Sequence, residues 1–135
     1  MKSDREVNDD DIDGANLILF GTARNNRLIA RLAARLPLVL DPGAADYGLL
    51  VVVPEGRHYT LVSSGLPWWT GADEANRGGY RYAPPTYRLL STFGDYVLFK
   101  GTLANVLAEG RFDRNGQISP EIAEKLRATG TVTVR

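Results

Sequence analysis

The feature that most limits the fold is a double change in the period of the apolar residues between positions 16 and 53. After Asn16, the residues Leu17-Ile18-Leu19-Phe20 run without a break to Gly21. A short, bounded run of this kind reads as a strand buried on both faces. From Asn26 the spacing becomes helical. Leu28, Ile29, Leu32, Ala33 and Leu36 share one stripe, and Arg27, Arg31 and Arg35 lie four apart on another face. Asn25 or Asn26 caps this helix and Pro37 ends it. Leu38-Val39-Leu40 is a second short strand. The nearly unbroken apolar stretch from Tyr47 to Val53 is a third, expected beside residues 16–20 as another inner strand.

The remainder adds strands faster than helices. Pro54-Glu55-Gly56-Arg57 turns the chain into an alternating strand from His58 to Ser63, so a hairpin is expected. A short helical stretch is expected over Thr86 to Thr92, with further strands at Asp95–Phe99, Val106–Phe112 and Thr131–Val134. Asp113-Arg114-Asn115-Gly116 is a turn, and Ser119-Pro120-Glu121 opens a helix that Gly130 stops. The expected fold is α/β: a layered single domain over residues 16–135, with a mixed sheet, a parallel βαβ start and helices packed on it. Residues 1–15 form a polar N-terminal segment in which Asn8 caps a short turn through Asp9, Asp10 and Asp11, unless the terminus is simply frayed.

Composition closes several functional classes. Sixteen Lys and Arg balance sixteen Asp and Glu, so the phosphate-neutralising excess of a general nucleic-acid binder is missing. With no cysteine, disulfides, thiolate metal sites and a cysteine nucleophile are excluded. No run approaches the roughly 18 apolar residues of a membrane span, and the acidic start lacks the order of a signal peptide. A complete chain is therefore expected in the cytoplasm, and a piece of a larger hydrolase in a secreted or envelope setting.

Catalytic signatures are incomplete. His58 is the only histidine, too few for a zinc site without several carboxylates, so no metal is expected. Ser63-Ser64-Gly65 ends a strand, but the glycine two residues before an elbow serine is replaced by Leu61. The scattered acids Asp41, Asp95, Glu109 and Asp113 suit turns and caps better than acid–base work. No catalytic residue and no cofactor are assigned.

Two segments remain as candidate binding sites. Ser64 to Tyr82 is rich in glycine and carries Trp68, Trp69, Tyr80 and Tyr82, with Tyr87 following. Rings of this kind offer large rigid contact areas with polar tips. They serve either recognition of a partner, a substrate or a second copy, or a small satellite core that pins the loop. The turn Gly21 to Asn26 stands where open α/β sheets bind ligands, and Arg24, Asn25 and Arg27 could receive an anion there. It lacks the spacing of the known phosphate loops, so the competing reading is a tight turn.

Two blocks of sequence carry a resemblance. One comprises Asp4-Arg5-Glu6-Val7, Asp10-Asp11-Ile12, Asn16 to Gly21, Asn25-Asn26-Arg27-Leu28-Ile29-Ala30 and Leu36-Pro37. The other is Asp95-Tyr96-Val97-Leu98-Phe99-Lys100 with Ala108-Glu109-Gly110-Arg111-Phe112-Asp113. In this order, over roughly residues 4 to 117, they resemble the C-terminal non-catalytic domain of bacterial prolyl-oligopeptidase-like or esterase-like α/β-hydrolase proteins. The resemblance implies an accessory domain whose partner is an α/β-hydrolase domain. The catalytic Ser, Asp and His of such proteins have no counterparts in this chain.

Overall fold

The structure is a computed structural model and describes residues 1–71 and 94–135. The expected helix at 86–92 and the rings of Tyr80, Tyr82 and Tyr87 lie outside the described residues. The elements in chain order are α1 (Asp9–Gly14), β1 (Leu17–Phe20), α2 (Arg27–Leu32), β2 (Leu38–Leu40), β3 (Tyr47–Glu55), β4 (His58–Gly65), β5 (Tyr96–Lys100), β6 (Val106–Gly110), α3 (Pro120–Ala128) and β7 (Val132–Val134).

Five strands form a mixed sheet in the order β1-β4-β3-β5-β6. β1 runs parallel to β4, and the other pairs are antiparallel. The architecture is thus roughly α/β, with strands outweighing helices. The β3–β4 hairpin forms as expected, around Gly56-Arg57. Gly56 takes φ 61° at the first central position of this two-residue turn, where a side chain would be strained.

Three expectations give way. The parallel neighbour of β1 is β4, whereas β2 pairs antiparallel with β7 in a separate two-stranded ribbon. The runs at 16–20 and 49–53 are not side by side, because β4 lies between β1 and β3. Nor is β1 buried on both faces. Among the described residues it is an edge strand, with Ile18 62% and Phe20 42% exposed. An apolar run reports that its side chains are apolar, not how many neighbours the strand acquires.

The register sorts the sheet into two faces, because successive side chains alternate. Leu19, Val62, Val51, Leu49, Leu98, Tyr96 and Ala108 occupy the first face. α2 covers its β1–β4 side through Leu28 and Ile29, and the turn after it adds Leu36. α3 and the β2–β7 ribbon cover the rest through Leu126, Ala123, Leu38, Leu40 and Val132. On the second face Leu50, Val97 and Phe99 are closed over by Leu103, Leu66 and Trp68. Gly48 is needed here, since a Cβ would overlap the Phe99 ring.

The N-terminal segment is folded. Asn8 and Asp11 form a reciprocal capping box at the start of α1. Val7 and Ile12 pack against the core beneath α2. Arg27 holds the segment in place, its Nε donating to the Asp4 carbonyl and its Nη2 to the carbonyls of Arg5 (2.9 Å) and Val7 (3.1 Å). Two further arginines reach outward: Arg31 of α2 stands 3.9 Å from Asp9, and Arg35, in the turn after α2, pairs with Glu55 at 3.0 Å.

Candidate binding surface

The Gly21–Asn26 turn spends its polar groups on itself. Gly21 stands at φ 115°, and a Cβ there would overlap the Asn25 carboxamide. Asn25 Oδ1 accepts from the Thr22 amide at 2.7 Å. Asn26 caps α2 by accepting from the amides of Leu28 and Ile29, and its Nδ2 donates to the Phe20 carbonyl at 3.0 Å. The Arg27 amide donates to the Asp4 carboxylate at 2.9 Å. The amides that an anion would need at the helix start are therefore already engaged within the chain, one of them by a carboxylate. Of the arginines considered there, Arg27 is the clamp on the N-terminal segment and Arg24 is exposed to solvent.

The strand geometry keeps His58 and Ser63 too far apart to act as a serine–histidine pair. His58 opens β4 and Ser63 lies five residues further along it. Five strand steps separate them by roughly 16 Å, and their parity places them on opposite faces. Ser64 Oγ donates to the Gly21 carbonyl at 2.7 Å, tying β4 to the end of β1. Among the described residues no group of three His, Asp or Glu side chains is placed to hold a metal.

The tryptophans are set by the exit from β4. Gly65 turns at φ 76°, where a Cβ would meet the Tyr47 carbonyl, and the Leu66 amide returns to that same carbonyl at 2.9 Å. Thr70 then closes a turn over Trp68-Trp69, its amide and hydroxyl both donating to the Pro67 carbonyl. Trp68 is half-buried and packs against the cluster of the second sheet face. Trp69 is 47% exposed and packs edge-on to Trp68 (5.3 Å, 87°) and to Phe20 (5.9 Å, 67°).

Phe20 brings in residues that the sequence pattern did not single out. Ile18 and Phe20 pair with Leu61 and Ser63, and Pro54 pairs with Tyr59, all on the second face. Ile18, Phe20 and Tyr59 (59% exposed) are the exposed large hydrophobics of the sheet, and all three stand on its β1–β4 side. Phe20 touches Trp69 and Ile18 precedes it on the same face of β1, while Tyr59 stands toward the hairpin end of β4, two residues before Leu61, the partner of Ile18. Tyr59 belongs to an alternating strand, so its face was readable only once the neighbour of β4 was known. Ile18 and Phe20 were hidden inside a run read as buried.

Along the open edge of β1 runs a groove of about 640 Å³, walled on its other side by the N-terminal segment and α1. Among the described residues no helix is long and apolar enough to cross a membrane. No family model matches the chain, and no curated protein or solved structure is significantly similar to it.

Proposed function

We propose that the chain is a protein-binding module, a layered α/β accessory domain that docks a partner on the surface made by Ile18, Phe20, Tyr59 and Trp69. One observation carries the reading: three large apolar side chains on the β1–β4 side of one sheet face, and Trp69 packed against one of them, Phe20, are each between 42% and 62% exposed. Scattered exposed hydrophobics are ordinary, but a contiguous group marks an interaction site. Covering each of them offers on the order of 1 kcal/mol, and aromatic anchors dominate interface energetics. In the terms of the resemblance to prolyl-oligopeptidase-like proteins, the partner is an α/β-hydrolase domain and the chemistry resides there.

The anion-binding alternative at Gly21–Asn26 has no comparable support, since the amides it needs are engaged.

Crosslinking capture from the source cell tests the proposal, with wild type compared against a Tyr59→Ser, Trp69→Ser variant and an exposed control, Glu124→Ala. The expected result is a partner held by wild type and control and at least tenfold depleted by the double variant. Capture that is the same for all three forms overturns the reading.

A further inference from the structure

We infer that the partner contributes an extended segment that adds to the sheet as a sixth strand along β1, with apolar and basic residues alternating along it. The inference rests on the docking surface proposed above and specifies how that surface is used.

In a parallel ladder, alternate residues turn both backbone groups toward the same neighbour. The Gly21 amide donates to Ser63, so the odd-numbered residues of β1 face β4 and the even-numbered ones face outward. The outward Phe20 carbonyl is taken by Asn26. Among the described residues the Ile18 amide, the Ile18 carbonyl and the Phe20 amide have no hydrogen-bond partner. Proteins usually blunt such edges with charge, proline or a bulge. The opposite edge follows that rule: β6 carries Glu109 and a register shift against β5. β1 carries no charge, proline or bulge.

The two sides of the edge differ in chemistry. On the second sheet face a new strand meets Ile18, Phe20 and Trp69, which favours apolar side chains. On the first face the groove is walled by Asp4, Asp10 and Asp11 against Lys2, which is itself paired to Asp11 at 2.7 Å, and the terminal amine of Met1. Because side chains alternate, a strand with apolar residues on one face and Lys or Arg on the other satisfies both. A second copy of this chain fits poorly, since its residues 15–22 carry no charge to answer the acidic wall. Main-chain bonds with side-chain pockets on alternate sides are the general mode of strand addition.

The probe is a blocked Lys-Val-Lys-Val-Lys-Val-Lys peptide, with a Glu-Val counterpart and two forms N-methylated at alternate amides, one in each phase. Binding is measured by titration calorimetry, and exchange of the Ile18 and Phe20 amides by NMR. The expected result is that the lysine peptide binds and slows both amides. The glutamate peptide is at least tenfold weaker, one methylation phase loses about tenfold or more and the other does not, and Asp10→Lys weakens the lysine peptide selectively. No binding of the lysine peptide at millimolar concentration overturns the inference. So does equal binding of both methylated forms without amide protection, although the apolar-surface reading then stands. Protection of Ile18 and Phe20 in a self-associated chain without peptide overturns it in favour of a second copy. Loss of the docking surface itself is read separately, from the Tyr59, Trp69 capture.

Discussion

Replacing Arg27 with alanine tests how the wall of the groove is held. The substitution removes three donors, to the carbonyls of Asp4, Arg5 and Val7, while the Arg27 amide bond to Asp4 survives because it belongs to the backbone. A charged donor in a buried site contributes about 1.5–3 kcal/mol, but Arg27 is exposed and water competes, so the total is set nearer 2 kcal/mol. Two kcal/mol multiplies opening of the segment by about 30. The loss is local at first, since the segment is otherwise kept by Val7 and Ile12 at the margin of the core. Amide exchange is the assay: the Glu6 amide bonds to Ser3 and the Ile12 amide to Asn8, and both should exchange about 30 times faster. If opening is coupled to global unfolding, Tm falls by about 3–4 °C for each kcal/mol. Arg27→Lys keeps the charge but loses the fork, and should recover less than half of the protection. Arg24→Ala is the control and should change exchange by less than twofold, since Arg24 is exposed. Unchanged exchange in Arg27→Ala, or equal effects of the two alanine variants, refutes the clamp.

Three further outcomes are expected. Gly21→Ala forces a side chain to φ 115° against the Asn25 carboxamide and should cost about 2 kcal/mol or more, seen as a lower denaturation midpoint with an unchanged urea slope. Leu98→Ala empties a fully buried site at the centre of the sheet and should cost about 2–5 kcal/mol by the same measurement, whereas Trp69→Ser should stay within about 1 kcal/mol of wild type. The Asp11 carboxyl is held below its ordinary value by the Lys2 ammonium and then by the Asn8 amide, and that of Glu6 by the Ser3 amide and hydroxyl. A depressed carboxyl stabilises the folded segment above the unfolded value and loses this as pH falls through the folded one. Exchange at the Ser3 and Asn8 amides, which donate to these carboxylates, should therefore accelerate selectively below the usual carboxylate range. A flat profile there would contradict it.

Much of the local structure was legible in the sequence because its causes are local. Leu28 and Ile29 of the helical stripe are buried as their spacing requires, but the helix ends at Leu32 rather than at Pro37, and Leu36 is buried from the turn that follows it. Asn8 and Asn26 cap the helices they precede, and Gly56 turns the hairpin. Asp113 closes its turn by accepting from the Asn115 and Gln117 amides, and α3 starts at Pro120. Arg27 was less legible. Its place on a polar helix face suggested solvent or an anion, and the carbonyls it holds lie about 20 residues away, where no periodicity points.

The sequence by itself determined the alternation of strand and helix, the caps and turns, and which side chains are apolar, because backbone sterics and side-chain polarity act over a few residues. Only the tertiary structure decided the strand order, since pairing is a choice among partners distant in sequence whose apolar runs look alike. That choice put β4 rather than β3 beside β1, left β1 at the edge, and turned Ile18 and Phe20 from expected core into the surface that Trp69 and Tyr59 complete.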